Sequence, residues 1–201
     1  MDARGAGSPA AARTDGEDGL TPLDEALASA RTGAPEGLRR VYELLAPGVT
    51  AYLRRRGVRD AEDLAQEVFL GVLPRLPRFE GDGEALRAFT YSVAHRRSVD
   101  DVRRRVRRPE PLPLEPDRDG GAGPSAETLA LDVLGEQRVR ALLDLLSEGQ
   151  RDVLLLRVVG DLTVEQTAQA LGRTPGAVKQ LQRRGLLVLQ EHLAEGGDTR
   201  A

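Results

Sequence analysis

Apolar residues recur at spacings of three and four along most of the chain from Leu23 onward. This spacing places side chains on one face of an α-helix, whereas a half-buried strand would alternate at every second residue. The first clear stripe comprises Leu38, Val41, Tyr42, Leu45, Val49 and Tyr52. Pro47-Gly48 interrupts it, so the sequence predicts a kink or two abutting helices at that point.

Two further helices are predicted before residue 108. Asp60 is the expected N-cap of the first, with Asp63 three residues later as in a capping box, and Pro74 is expected to end it. Its apolar row is Ala61, Leu64, Val68 and Val72. The next helix is predicted from about Glu84 to Arg107, apolar in its first half and rich in arginine in its second.

Helical periodicity is lost in two parts of the chain. Residues 1–20 contain mainly Gly, Ala, Asp and Arg, and residues 109–126 are rich in Pro and Gly. The sequence therefore predicts an all-α protein of two small helical domains joined by a flexible linker. The predicted divisions are a disordered tail 1–20, a first domain 21–108, a linker 109–134, a second domain 135–195 and a tail 196–201. Because the linker has few apolar groups to offset the entropy of ordering it, we expect the domains to move independently.

The second domain contains the strongest local signals. Thr163 is placed to cap a short helix, and Gly172 permits a left-handed turn at its end. Thr174 can cap the following helix, with Pro175 at its first position, where the missing N–H costs nothing. A short helix, a glycine turn and a capped second helix are typical of a helix-turn-helix. The inward residues are predicted to be Val164, Ala168, Leu171, Val178 and Leu181.

The second of these helices has an outward polar face. Lys179 and Arg183 can donate to guanine, and Gln180 can pair with adenine in the major groove. An ordinary helical hairpin with a solvated charged face is an alternative interpretation of the same spacing. Gly185 lies on the inward side, where Ala would be about 1 kcal/mol more favourable in a helix.

Charge is distributed unevenly along the chain. The formal net charge is −3, yet residues 96–108 contain seven arginines and two aspartates. Phe89 and Tyr91 precede His95, Arg96 and Arg97, and aromatic rings beside guanidinium groups suit an unpaired base and its backbone. The alternative interpretation is that Phe89 is a core residue and that the arginines after it are simply solvated. This alternative explains Phe89 well, but it explains poorly why so many like charges lie together without compensation.

Several classes of function are disfavoured. The chain has no cysteine, which excludes disulfides and thiolate zinc sites, and its two histidines are His95 and His192. The acidic helix 60–72 has no nearby histidine or nucleophile, so we expect no catalytic site, no metal site and no cofactor. No run approaches the roughly 18 apolar residues of a membrane span. The start of the chain has no apolar signal segment, so a cytoplasmic protein without membrane insertion is expected.

Taken together, these segments resemble the extracytoplasmic-function group of the sigma-70 family of RNA polymerase sigma factors. DAEDLAQEVFLGV resembles the part of region 2 that binds the polymerase clamp helices, and LRAFTYSVAHRRSVDDVRRR resembles the part that opens and reads the −10 element. The segment from Leu142 to Leu186 resembles region 4, whose helix-turn-helix reads the −35 element. The likeness covers residues 36–108 and 136–193. It implies an alternative sigma factor for promoter-specific initiation, which is not an enzyme.

The resemblance implies a role for individual residues. Clamp binding falls on Asp60, Asp63, Leu64, Gln66, Glu67 and Phe69. Recognition of the −10 element falls on Phe89, Arg96, Arg97, Asp100, Arg103 and Arg104. Recognition of the −35 element falls on Thr174, Lys179, Gln180, Arg183 and Arg184. Two departures from the family pattern are Phe89, where many members have Trp, and Gln182, where an apolar residue is common.

The partners implied by the resemblance are core RNA polymerase, through its clamp helices and flap, and promoter DNA. A cognate anti-sigma factor is a further partner that the family allows, although no residue identifies one. The main alternative is a helix-turn-helix regulator that acts without core polymerase, which would leave the acidic helix 60–72 without a role. An enzyme is the more distant alternative, since neither histidine lies beside a nucleophile motif.

Overall fold

The computed structural model describes residues 20–107 and 126–197 of the chain. The first part contains α1 (Pro22–Arg31), α2 (Pro35–Arg55), α3 (Ala61–Val72), a short 3-10 helix (Leu73–Arg78) and α4 (Gly83–Arg107). The second contains α5 (Ala126–Asp144), α6 (Glu148–Val158), α7 (Val164–Leu171) and α8 (Pro175–Gly197). No strand occurs in either part, and the predicted all-α class is confirmed. Residues 1–19 of the predicted tail, almost all of the Pro- and Gly-rich segment 109–126 and residues 198–201 lie outside the described residues.

Helices α1–α4 form the N-terminal lobe around a core of aliphatic and tyrosine side chains. Thr21 and Asp24 begin α1 with a capping box, and each bonds the backbone N–H of the other. Helix α2 runs through Pro47 without a break, so the expectation of two abutting helices is wrong. Gly48 lies against the ring of Tyr91 in α4, where a Cβ atom would be only 2.6 Å from the hydroxyl oxygen. The Pro-Gly pair therefore marks a close helix approach.

Helix α3 has the predicted bounds but lacks the predicted cap. Asp60 precedes the helix, but its side chain makes no capping hydrogen bond, and its φ and ψ of −100° and 65° lie outside the extended region that caps use. The predicted capping box is therefore wrong. At the other end α3 gives way at Val72 to the 3-10 helix, which contains Pro74 and Pro77. The chain then enters α4 at Gly83, one residue before the predicted start.

Helices α5–α8 form the C-terminal lobe. Helix α5 begins at Ala126, so residues 126–134, which the sequence assigns to the linker, are helical. Thr163 caps α7 in a capping box with Gln166, and Gly172 ends it in the left-handed conformation at φ 61°. A Cβ at Gly185 would lie 3.0 Å from the Leu154 side chain. Close packing of α8 on α6 therefore explains this glycine in the middle of a helix.

The two lobes pack against each other. Buried residues of α5, α6 and the turn after α6, including Leu155, Leu156 and Leu162, belong to the same apolar cluster as the core of the N-terminal lobe. The expectation that the domains move independently stays a prediction; in the arrangement described here the lobes are in contact. It rested on the composition of the linker, which carries no information on how well the facing surfaces of the lobes match.

Candidate functional site

Helix α3 presents an exposed face of mixed acidic and apolar character. Asp63, Gln66 and Glu67 are exposed, and the side chain of Leu70 is 75 % exposed. Their spacing of three and four residues places all four on one side of the helix, and we call this set the acidic face. Within the described residues Asp63 has no ion-pair partner. An exposed leucine one turn beyond the acidic groups offers a partner apolar contact area next to negative charge.

The other clamp-binding residues proposed from the resemblance lie differently. Asp60 is exposed just before α3, whereas Leu64 is 5 % and Phe69 2 % exposed. The Phe69 ring packs edge-on against Tyr42, with ring centroids 4.9 Å apart. Neither buried side chain can touch a partner, so their contribution is limited to positioning α3. Sequence reasoning missed Leu70, although its position one turn after Gln66 and Glu67 was a usable signal.

Ion pairs fix the acidic face relative to its neighbours. Glu67 accepts a hydrogen bond from Arg97 of α4 at 2.7 Å, and Glu62 pairs with Arg54 of α2. The Arg54 partner lowers the pKa of the Glu62 carboxyl below its usual value. The Arg97–Glu67 pair joins a residue assigned to −10 recognition to one assigned to clamp binding. Arg97 is thus held by the protein itself and is less available to DNA than its neighbours.

The second half of α4 carries a stripe of exposed charged residues. Arg96, Asp100, Arg103 and Arg104 are all exposed and follow one another at helical spacing, and we call them the arginine stripe. Arg105, on another side of the helix, instead pairs with Asp101 at 2.7 Å and approaches the carbonyl oxygen of Gly57. Among the arginines of α4 whose side chains the structure describes, Arg97 and Arg105 hold the lobe together, whereas Arg96, Arg103 and Arg104 face solvent.

The aromatic residues of α4 also have separate roles. Phe89 is half-buried and its ring lies 5.6 Å from that of Phe79, in the short loop before α4. Arg31 holds this loop by donating to the carbonyl oxygens of Phe79 and Gly81. Tyr91 is only 2 % exposed and packs between the lobes. The suggestion that Tyr91 stacks on an unpaired base is therefore wrong for this arrangement, whereas Phe89 lies beside a loop and remains a candidate.

The N-terminal turns of α8 form the third exposed surface. The Thr174 hydroxyl accepts a hydrogen bond from the N–H of Ala177 at 3.2 Å, so the predicted cap is present. Lys179, Gln180, Arg183 and Arg184 are exposed, while Val178 is fully buried beneath them. We call these four residues the recognition face. Gln182 is half-buried, and an exposed apolar strip that includes Leu186 and Leu187 continues the same helix toward its C-terminus.

A small buried core fixes the angle between α7 and α8. Val153, Ala168 and Val178 form it, with Val164, Leu171 and Leu181 packed around them. The predicted inward residues of both helices are therefore confirmed. The first turns of α8 project beyond this core, as a helix that enters the major groove must do.

Between the lobes lies a cluster of buried polar groups. Arg56, at the end of α2, is 7 % exposed, and one of its guanidinium nitrogens is 2.7 Å from a carboxylate oxygen of Asp152 in α6. The approach is a charge contact without hydrogen-bond geometry, since that oxygen has no hydrogen-bond partner. Burial raises the pKa of Asp152 to about 6, against the opposing attraction of Arg56. Burial lowers the pKa of His95, which contacts the Tyr52 hydroxyl at 3.0 Å, to about 4.

Two searches of the described residues gave negative results. Within residues 20–107 and 126–197, no three His, Asp or Glu side chains lie close enough together to hold a metal ion. No helix of the same two segments is long and apolar enough to cross a bilayer.

Comparison with protein families identifies both lobes. Residues 41–108 match the model of Sigma-70 region 2, and residues 136–189 match that of Sigma-70, region 4. The first match contains α3 and α4 with the acidic face and the arginine stripe. The second contains the helix-turn-helix with the recognition face.

Whole-chain relatives and solved structures agree with these matches. The ECF RNA polymerase sigma factor SigD of Mycobacterium tuberculosis is 37 % identical over 185 residues, which cover 88 % of this chain and 86 % of SigD. ShbA of Streptomyces griseus, another ECF sigma factor, is 41 % identical over 132 residues, 62 % of this chain and 67 % of its own length. CnrH, solved in complex with the cytosolic domain of CnrY, has a TM-score of 0.60 at 20 % identity, covering 89 % of this chain and 99 % of that one. That similarity shows the shared fold. With both regions present in order and a relative aligned over most of both chains, the protein belongs to the ECF sigma factors of RNA polymerase and acts as an alternative sigma factor in transcription initiation.

Proposed function

We propose that this sigma factor divides its work among the three exposed surfaces described above. The acidic face of α3 binds the clamp helices of core RNA polymerase. The arginine stripe of α4, with Phe89, holds and opens the −10 element. The recognition face of α8 reads the −35 element as duplex DNA, and Thr174 fixes the start of that helix.

One observation carries the proposal: Leu70 is 75 % exposed at the C-terminal end of the acidic face. A helix that only supports a fold gains nothing from an exposed leucine. It also gains nothing from carboxylates four residues apart on one face, since like charges at that spacing repel each other. A basic partner surface converts that repulsion into attraction and speeds docking. This surface distinguishes a polymerase subunit from a regulator that needs only its helix-turn-helix.

The arginine stripe and the recognition face carry different chemical groups, and each set suits the DNA element that the proposal assigns to it. The arginine stripe offers guanidinium groups, which bind phosphates and stack on unpaired bases. The recognition face combines Lys179, Gln180 and Arg183, whose donors and acceptors match base edges in the major groove. A stripe of charge suits melted DNA, and a mixed set of polar groups suits sequence readout.

Two further partners follow from the relatives and from the surface of α8. The exposed leucines near Leu186 give region 4 an apolar strip suited to the polymerase flap. RpoE of Bartonella quintana was solved in complex with the anti-sigma factor NepR, and it shares this fold with a TM-score of 0.57 at 20 % identity. We propose that an anti-sigma factor also regulates this protein, which acts in the cytoplasm and catalyses no reaction of its own.

The test combines binding to core polymerase with transcription in vitro. Leu70→Asp together with Asp63→Lys should weaken core binding by about 2 kcal/mol or more, as expected at the centre of an interface. Glu165→Lys, which repeats the acid-to-lysine reversal of Asp63→Lys on an exposed position of α7 in the other lobe, is the control and should bind core polymerase normally. Both proteins should fold, because the apolar rows beneath are unchanged. Equal core binding by the α3 variant and the parent would contradict the proposal.

A further inference from the structure

Helix α1 contacts the segment 79–83, which joins the 3-10 helix to α4 and which we call the pre-α4 loop. Two charged side chains of α1, Asp24 and Arg31, bind this loop. They are about two helical turns apart and therefore lie on the same side of α1. The match to Sigma-70 region 2 covers residues 41–108 and does not include α1. The helix thus contacts the start of a DNA-binding helix without belonging to the matched region.

The bonds from α1 go to the backbone of the loop. Arg31 donates through Nε to the carbonyl oxygen of Phe79 at 3.1 Å, and through a terminal nitrogen to that of Gly81. The Asp24 carboxylate accepts a hydrogen bond from the N–H of Gly83 at 2.6 Å. Hydrogen bonds to ionised groups are stronger than neutral ones, and a guanidinium fork also fixes direction. These three bonds therefore hold both ends of the loop on α1.

The backbone of the loop is suited to this contact. Gly81 has a φ of 122°, which side chains other than glycine rarely adopt. A Cβ atom at Gly83 would lie 3.0 Å from a carboxylate oxygen of Asp24. Asp82 accepts a hydrogen bond from the N–H of Ala85 at 2.8 Å and so caps α4. The loop is consequently fixed between α1 on one side and the first turn of α4 on the other.

The loop carries one ring of an aromatic pair. Phe79 and Phe89 are both half-buried, and their ring centroids lie 5.6 Å apart at an angle of 42°. The arginine stripe follows Phe89 along the same helix, so stacking surface and phosphate-binding groups share one element. Because Arg31 holds the carbonyl group of Phe79, α1 determines where the first ring lies. An aromatic pair already in place binds an unpaired base without the cost of ordering the loop.

We propose that Asp24 and Arg31 of α1 are positioning residues for opening of the −10 element: they hold the pre-α4 loop so that the ring of Phe79 stays on that of Phe89, ready for an unpaired base. This inference rests on the proposed function, which assigns Phe89 and the arginine stripe to the −10 element. Neither positioning residue belongs to a DNA-binding surface. Helix α1 acts on promoter opening only through the loop.

The first test measures the order of the loop in the free protein. The chain has no tryptophan, so Phe79→Trp introduces a single fluorophore of that kind. Adding Arg31→Gln should lower its anisotropy and shift its emission to longer wavelength, because the indole leaves Phe89 for water. Arg31→Lys retains a donor group and should preserve most of the signal. Arg39→Gln is the control, since it removes an exposed arginine of the same lobe that pairs with Glu36 at 2.7 Å.

The second test measures DNA binding by holoenzyme assembled from the full chain, with Phe79 intact, and core polymerase. One probe is a promoter that the parent transcribes, opened at −10 by mismatched bases; the other is a duplex that carries −35 and ends before −10. Arg31→Gln and Asp24→Ala should each lower affinity for the opened probe about tenfold, because binding must then order the loop. Affinity for the −35 duplex and for core polymerase should match that of the parent, and Arg31→Lys should recover most of the loss.

A further variant separates positioning from loss of stability in α1. Thr21→Val removes the hydroxyl that accepts the Asp24 N–H in the capping box, but it leaves the Asp24 carboxylate free to bind Gly83. This variant should unfold at a lower temperature than the parent and still bind the opened probe like the parent. A tenfold loss of opened-probe affinity in Thr21→Val would show that α1 acts through stability alone, which would overturn the proposal.

Three other results would also overturn it: unchanged fluorescence in Arg31→Gln, unchanged affinity of that variant for the opened probe, or an equal loss of affinity for both probes. In these cases the fault lies with the variants, and the assignment of α4 to the −10 element stands. Failure of the proposed function is visible in the parent instead. If parent holoenzyme binds the opened probe no more tightly than the same promoter fully paired, the assignment of α4 is wrong and the role of α1 falls with it.

Discussion

The two lobes build their functional surfaces in different ways. In the C-terminal lobe the recognition face is fixed by local devices, namely the caps Thr163 and Thr174, the left-handed Gly172 and a small core around Val178. In the N-terminal lobe the acidic face and the arginine stripe depend on contacts between helices distant in sequence, such as Arg97 with Glu67. A DNA-reading helix can thus be specified by a short segment, whereas a surface that binds polymerase and melts DNA needs a whole bundle.

The largest expected effect comes from disturbing the packing of the C-terminal lobe. Gly185→Leu places a side chain where a Cβ atom already lies 3.0 Å from Leu154, and overpacking of this kind costs about 3 kcal/mol. Thermal unfolding should show the loss, and binding to −35 DNA should fall while binding of the N-terminal lobe to core polymerase remains. Gly176→Leu is the control, since nothing lies within 4 Å of its Cβ position. Equal stability of the two variants would contradict the role given to Gly185.

A pH experiment compares one titratable group from each lobe. His95 has a pKa of about 4 in the folded protein and 6.5 ordinarily, so its contribution to stability is lost as the pH falls below 6.5. Asp152 has a pKa of about 6 against an ordinary 3.8, so acidification between these values favours the folded state. Between pH 7 and 5 the two contributions oppose each other.

Without His95, the pH dependence of stability should be dominated by Asp152, which favours the folded state as the pH falls. Relative to the parent, His95→Gln should gain about 2 kcal/mol of unfolding free energy on going from pH 7 to pH 5. Chemical denaturation at the two pH values measures it. The groups around His95 are Tyr52, Arg56 and Glu148, and the substitution leaves all three in place. The same pH response in variant and parent would show that His95 is not the acid-sensitive group.

The helix caps give a smaller effect that also distinguishes the lobes. Thr174→Ala removes the acceptor for the Ala177 N–H and should cost about 1 kcal/mol. Asp60→Ala should change stability by less than about 0.5 kcal/mol, because Asp60 makes no side-chain cap bond and contributes only through the helix dipole. Calorimetric unfolding of the two variants measures both losses of stability. A larger loss for Asp60→Ala would mean that the N-terminal lobe also depends on local capping.

The smallest expected change is in the salt dependence of DNA binding. Arg103→Ala removes one phosphate contact from the arginine stripe, so the slope of log binding constant against log salt concentration should decrease by about 1. Arg105→Ala removes an arginine of the same helix that pairs with Asp101, and its slope should match that of the parent. Holoenzyme binding to promoter DNA across a salt series measures both. An unchanged slope for Arg103→Ala would place the stripe away from the phosphates.

The success of the sequence predictions follows the same division. The helix-turn-helix was predicted correctly down to its caps and inward residues, because Thr163, Gly172, Thr174 and Pro175 act on their immediate neighbours. The boundaries of α4 were predicted to within a residue for the same local reason. The sequence left open whether α2 is kinked or broken at Pro47, and it gave no sign that Gly48 lies against Tyr91 of α4.

Long-range contacts account for the other differences. The burial of Leu64 was predicted from the apolar row of α3. The burial of Phe69 and the exposure of Leu70 depend on which neighbours cover α3, and the apolar sequence pattern does not specify them. Likewise, nothing near Arg56, Tyr91 or Asp152 in the sequence shows that they meet between the lobes, since the pairing partners are about 70 to 100 residues apart. The division of site residues between the two promoter elements and the polymerase stays a prediction.

The most direct test of that division is transcription in vitro from a promoter library randomised at the −35 and −10 elements. The account predicts that Arg183→Ala relaxes preference at one −35 position by about 1–3 kcal/mol and leaves −10 preferences intact. Arg103→Ala should instead reduce output from all promoters nearly equally. If Arg183→Ala leaves −35 preference unchanged, or alters preference at −10, the assignment of sequence reading to α8 is contradicted.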